Sequence, residues 1–191
     1  MRKYNWSSWN NCRDIESRSY ICGYCGDKVG TNHGYDNNSD ANAKIYICTN
    51  CGAPTLFFYA EQYPGPLIGR IISNLPEDIE IIYKEIKEDV KNSSYTSAVL
   101  MGRKLIMHIA VDIAKAKEGL TFVEYIEHLK QSGHIPPNTD QWLEYMRQIG
   151  NEKNHEIKIG KKEEAERILK FVEMLLIFIY EFPAEFEEKQ V

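Results

Sequence analysis

Two short segments of one form constrain this chain more than anything else in it: Cys22-Gly23-Tyr24-Cys25-Gly26 and Cys48-Thr49-Asn50-Cys51-Gly52. Each carries two thiols three residues apart on a tight turn, then a glycine that lets backbone amides fold toward the sulfurs. Four sulfurs in two such pairs match a closed tetrahedral zinc site in ligand number, ligand type and pairing. Twenty-two residues separate Cys25 from Cys48, a gap that a loop insertion accommodates. Two disulfides are the competing reading. Nothing here resembles a signal peptide, so the thiols are expected to stay reduced. The prediction is one structural Zn2+ per chain on Cys22, Cys25, Cys48 and Cys51. With four protein ligands no position is open to water, so such an ion holds structure and performs no chemistry.

The 191 residues suit one domain plus a small module. No apolar run approaches the ~20 residues that a bilayer span needs. The richest, Met174 to Tyr180, stops at Glu181 and reads as a core helix. A cytoplasmic chain with no membrane partner is expected. Residues 1–60 carry six basic and five acidic side chains, whereas residues 61–191 carry 17 and 23. An acidic second part is a poor footprint for non-specific nucleic-acid binding, so any polyanion must meet a local basic patch.

Residues 1–60 read as a zinc ribbon, with Ser19 to Ile21 leading into the first knuckle and strands at Lys44–Ile47 and Thr55–Tyr59 around the second. Thr31 to Ala43, rich in Asn, Asp, Gly and Ser, reads as a mobile loop. So small a module needs its metal to fold. Trp6, Trp9, Phe57 and Phe58 are its predicted core or docking surface. Cys12 is left as an unpaired thiol near the ribbon. His33 could replace a thiolate, but four cysteines are already at hand. Residues 61–75 contain Pro64-Gly65-Pro66 and form the linker.

From Pro76 to residue 191 the apolar period becomes 3.6. The first helix carries Ile79, Ile82, Tyr83, Ile86 and Val90 on one stripe. Ser93 or Ser94 caps a second, with Ile106, Ile109, Ala110 and Ile113, ended by Gly119. Thr121-Phe122-Val123-Glu124 is a capping box opening a third, which runs to Gly133. A fourth follows Pro136-Pro137, with Trp142, Tyr145, Met146 and Ile149. The fifth runs from about Lys162 to Phe182, with Ala165, Ile168, Leu169, Val172, Leu176 and Ile179 inward. Phe171, Leu175, Phe178 and Tyr180 lie outside that stripe and predict a second chain covering some of them, a homodimer.

Between helices four and five lies the densest polar segment, Arg147 to His155. If helical, Arg147, Asn151 and His155 form one stripe drifting ~40° per step. Taken in order, four elements look like an uncharacterised bacterial domain-of-unknown-function family. They are Leu75-Pro76, a long helix containing Gly102-Arg103-Lys104-Leu105, Gly133-x-Ile135, and Ile149-Gly150-Asn151-x-x-x-His155. That family belongs to the HEPN-like superfamily of helical bundles and often accompanies a zinc ribbon or restriction-type defence proteins. The resemblance covers roughly residues 74–182, and its most specific element is the Gly-Asn-x-x-x-His box. The predicted fold is therefore mainly α: an antiparallel five-helix HEPN-like bundle preceded by a small β zinc ribbon.

In HEPN ribonucleases an arginine followed by a polar residue precedes a histidine by a few positions, and two subunits juxtapose these motifs. The histidine moves the proton of the attacking 2′-hydroxyl and a cation meets the developing phosphorane charge. Here Gly150 stands where that arginine would be, and Arg147 is the nearest candidate. The same residues also read as a turn, with Gly150 ending helix four and Asn151 and His155 bonding exposed backbone groups. Arg103 and His108 match the motif by pattern, but side chains five apart on a helix point ~140° away from each other. His128 and His134 lie near the end of helix three, where the helix dipole favours histidine without function.

Three functions follow. One is a non-catalytic binding module, an accessory protein in bacterial or phage defence that binds a partner protein, RNA or DNA. The alternative is a metal-independent HEPN-type ribonuclease using Arg147, Asn151 and His155. A nucleotide-binding regulator using the same cleft is a third possibility.

Overall fold

Five segments pair as strands, and the two cysteine knuckles are two of the four turns that join them. The structure, a computed structural model, describes residues 8–150 and 159–187. It divides into two compact units, Met1–Ile68 with Lys91–Ser93, and Gly69–Val90 with Ser94–Val191. In the first, β1 (Arg13–Ile21), β2 (Lys28–Asp36), β3 (Ala43–Ile47), β4 (Pro54–Phe58) and β5 (Glu61–Tyr63) form one antiparallel meander in chain order. The register pairs Tyr20 with Val29, Gly34 with Tyr46, and Tyr46 with Thr55. A bulge interrupts β1 between Asp14 and Arg18.

Side chains alternate across a strand, so Phe57 is buried while Phe58 is exposed. Tyr20, Val29, Tyr46 and Phe57 close over the cysteines as a small core. The Phe57 ring lies edge-on to Tyr20 and Tyr46, with centroids 5.2 and 5.6 Å away. Of the four predicted core aromatics, Phe57 is inside, Trp9 is half-buried, Phe58 is outside, and Trp6 is not among the described residues.

With 46% helix and 18% strand, this is an α+β protein rather than the predicted mainly α one. The difference lies between the knuckles. Residues 31–36, expected in a mobile loop, continue β2. A Cβ on Gly34 would stand 2.0 Å from the Ile45 carbonyl oxygen, so glycine is there for a close strand approach and not as a breaker. Only residues 37–42 turn, and there Asn37 Oδ1 accepts from the amides of Ser39 and Asp40, at 2.8 and 3.2 Å.

The second unit holds α1 (Glu77–Lys91), α2 (Tyr95–Asp112), α3 (Phe122–Gln131), α4 (Asp140–Gly150) and α5 (Lys162–Leu176). After α5 the chain continues through a π turn, Ile177–Glu181, into α6 (Phe182–Glu187). The α1 stripe is inward as its period requires, with Ile79, Tyr83, Ile86 and Val90 buried and Ile82 half-buried. Against α5, α2 packs closely at Gly102, where a Cβ would lie 2.1 Å from Ile168 Cγ2. The expected end of α2 at Gly119 is corrected to Asp112. Lys115 adopts a left-handed φ of 58°, and the Ala116 amide reaches back to the Ala110 carbonyl at 2.9 Å. Two of the side chains expected to await a second chain, Phe171 and Leu175, are buried within this one. Among the described residues no helix is long and apolar enough to cross a membrane.

Candidate metal centre

Each knuckle is a hairpin turn built the same way. Cys22 N–H donates to the Asp27 carbonyl and Gly26 N–H to the Cys22 carbonyl, both at 2.9 Å. Cys48 and Gly52 repeat both bonds with Ala53 and Cys48, again at 2.9 Å. Gly26 and Gly52 have φ of 76° and 73°, a region that side chains rarely enter, which is why each motif ends in glycine. Pairing β2 with β3 brings the two turns together at one end of the sheet. The Trp9 indole N–H donates to the Gly52 carbonyl at 2.9 Å and braces the second turn. Asn50 Nδ2 donates to the Asp27 carboxylate and joins the knuckles.

The four sulfurs all lie within 4.8 Å of one another. Tetrahedral thiolate bonds of about 2.3 Å to zinc imply sulfur separations of about 3.8 Å. Cys22 to Cys51 is 3.7 Å and Cys25 to Cys48 is 3.8 Å. Cys22, Cys48 and Cys51 are buried and Cys25 is half-buried. The amides of Tyr24 and Cys51 donate to the sulfurs of Cys22 and Cys48, each at 3.4 Å, and so favour their thiolate forms. This donor set fits a metal ion and is compatible with zinc.

Burial and neighbouring amides act on these thiols in opposite senses. Burial pushes Cys51 up to about 11 and Cys25 higher still. Burial acts on Cys48 in the same sense, but amide donation from Cys51 and Asn50 outweighs it and holds this thiol below its ordinary value. Four thiolates cannot gather here without a cation. His33 takes no part: its Nδ1 lies 3.0 Å from the Asp14 carboxylate. Cys12 is half-buried, and burial raises its thiol above the usual range.

Arg147 lies on α4, where its guanidinium donates through Nε to Glu127 Oε1 at 3.0 Å and through Nη1 to Glu144 Oε2 at 3.1 Å. Those bonds raise its affinity for its proton further. Its expected companions, Asn151 and His155, lie outside the described residues. Arg103 is half-buried with its guanidinium 5.0 Å from the Phe122 ring centroid, toward α3. His108 borders a hollow with Asp78 and Ile79 of α1, so the two side chains serve different helices.

Two polar arrangements escaped the sequence reading. In the helical unit, buried Glu181 accepts from the Ser73 amide at 2.9 Å and from Arg70 Nη2 at 3.3 Å. Glu173 accepts from the Arg70 amide at 2.8 Å and the Tyr83 hydroxyl at 3.0 Å. Burial and the Glu173 charge both push Tyr83 well above the usual tyrosine range. In the sheet unit, the Arg18 guanidinium lies 4.1 Å from the Phe57 ring centroid. Strand alternation was the available signal for Arg18, because it shares a face with Tyr20 two residues on.

No curated protein and no solved structure matches the chain. The family described as Domain of unknown function (DUF4145) matches residues 84–190, from within α1 onward and across more than half of the sequence, and the chain belongs to that family.

Proposed function

We propose that this chain is a non-catalytic binding module in which one structural Zn2+, held by Cys22, Cys25, Cys48 and Cys51, rigidifies a zinc-ribbon sheet. The observation that carries the reading is the sulfur geometry, four thiols within 4.8 Å with amide donors on two of them. Four protein ligands close the ion's shell, so the metal organises a surface and leaves no position for substrate or water. The engagement of Arg147 by Glu127 and Glu144 supports the non-catalytic side, since a guanidinium so neutralised is a poor partner for a phosphorane. A place in bacterial defence and a HEPN-like bundle rest on the sequence resemblance.

The module is read as a homodimer that offers its sheet to a partner protein or nucleic acid. Phe178 on the π turn and Phe182 and Phe186 on α6 remain exposed, four residues apart, and support pairing through this segment. Metal analysis of the purified chain is expected to find one zinc, lost in Cys48→Ser. Light scattering is expected to report two chains at micromolar concentration, and a monomer removes the dimer. Incubation with a mixed RNA pool is expected to leave it intact. Metal-independent cleavage that disappears in His155→Ala, with melting unchanged, overturns the non-catalytic reading.

A further inference from the structure

Beside the β1 bulge, the sheet unit forms two adjoining hollows that share Ser17, Arg18 and Ser19. The larger, about 490 Å³, is completed by Asn42, Lys44 and Tyr59 among others. The smaller, about 320 Å³, extends over Gly30, Thr31 and Asn32. Arg18 stands between them. Its guanidinium is held over Phe57 at 4.1 Å and faces Tyr46 at 5.9 Å. Glu16 also lines the larger hollow and feels the Arg18 charge, but it pairs with Lys44 at 2.7 Å, and among the described residues no carboxylate stands within ion-pair distance of Arg18. A planar cation already oriented by aromatic rings is suited to the paired oxygens of a phosphate.

Tyr59 adds the second observation. Its backbone is left-handed, φ 55°, which is unusual for a bulky side chain, and its amide is fixed to the Asn42 carbonyl at 3.1 Å. The two-residue turn that joins Phe58 to Glu61 calls for that conformation, and the ring, 62% exposed, lies edge-on to Phe58 with centroids 4.9 Å apart. An exposed ring lining the same hollow as an oriented guanidinium is what base stacking uses. Two open hollows, one on each side of a single arginine, suit a chain passing through better than a compact nucleotide sitting in one.

We propose that this trough binds a single-stranded nucleic acid, with one phosphate on Arg18 and a neighbouring base stacked on Tyr59. The assignment rests on the binding-module reading and names its ligand and its site. The test uses the zinc-loaded full chain and fluorescence anisotropy with labelled ten-nucleotide oligouridine and oligothymidine, with uridine monophosphate and an oligoglutamate peptide as competitors. Both oligomers are expected to bind, whichever sugar is preferred. Arg18→Gln is expected to weaken binding about tenfold and to lower the salt slope by about 0.7, the share of one phosphate on a single strand. Tyr59→Asn keeps a residue suited to left-handed backbone while removing the ring, and is expected to weaken binding at least fivefold.

Zinc content and melting are measured on every sample. If Arg18→Gln loses its metal, Tyr59→Asn decides alone. The proposal is overturned if neither oligomer binds to zinc-loaded chain, or if Tyr59→Asn or a zinc-loaded Arg18→Gln binds as the wild type does. It is equally overturned if the mononucleotide or the peptide competes as well as unlabelled oligomer. A wild type that binds no zinc overturns the binding-module reading itself, and so is told apart from failure of the trough.

Discussion

The two units of this chain are held together by different means. In the sheet unit the buried cluster has eight members, and three of them are cysteines of the candidate metal centre. Take away the reason for those sulfurs to gather, and Tyr20, Val29, Tyr46, Ala53 and Phe57 are all that remains. In the helical unit the interior is aliphatic and aromatic, with Ile86, Ile106, Ile109, Ile126, Leu129, Leu143, Ile168 and Leu169 all but free of solvent. That core removes enough apolar surface to stand by dispersion and the hydrophobic effect. One unit spends its sequence on ligands, the other on periodicity.

Metal removal is expected to separate them with the largest effect. Structural zinc in comparable small sites contributes on the order of 10–16 kcal/mol, which is folding free energy because the site does not preexist in the unfolded chain. Chelation, or Cys48→Ser, should therefore abolish amide exchange protection across β1 to β5 while the far-UV helical signal persists. Acidification should act in the same direction, since protons compete with the ion for thiolates. Helicity lost in step with zinc would show that the bundle depends on the sheet unit after all.

The converse change is Ile168→Ala. Its side chain is fully buried where α5 meets Gly102 of α2. Truncation should cost about 2–5 kcal/mol in denaturant unfolding of the helical signal, with zinc stoichiometry unchanged. A smaller effect is expected for Glu181→Ala. That substitution leaves the Ser73 amide without its acceptor, at a cost of about 1–3 kcal/mol. Exchange protection should fall at residues 70–73 before anywhere else in the unit. Uniform loss across all helices would mean that the carboxylate does more than anchor this segment.

How far each unit could be read in advance follows the same division. Cysteine spacing picked out the four thiols that the fold brings together, and a short hairpin turn needs nothing but local chemistry. The 3.6 period located α1 to α5 for the same reason. What local patterns hid was set by distant partners. Gly34 looks like a loop residue until β3 lies against it. Alternation put Arg18 on the face of Tyr20, but its partner Phe57 is far off in the chain and is met only once the strands pair. Glu181 reads as the polar end of an apolar run. The π turn inserts an extra residue, leaving Ile179 half-buried and bringing Glu181 inside. Lys115 is no usual helix terminator, and it took the burial of Ala116 to make it one.

The smallest expected effect tests the part of the fold that was fully local. Thr121 Oγ1 accepts from the Glu124 amide at 3.3 Å, and the Glu124 carboxylate accepts from the Thr121 amide at 2.7 Å. Both bonds satisfy backbone donors that the first turn of α3 cannot satisfy itself. The carboxylate is held below its ordinary range by that backbone amide and by the Thr121 side chain. Thr121→Ala removes the hydroxyl acceptor and should cost about 1 kcal/mol, the usual worth of an N-cap. Thr121→Asp keeps an acceptor but sets a second carboxylate beside Glu124. It should recover much of the loss at neutral pH, and more in high salt, where that repulsion is screened. Thermal melting followed by helicity reads both variants, and zinc content should not move in either. A cap mutation that released zinc would mean the two units share one folding transition, and the contrast between them would be one of composition alone.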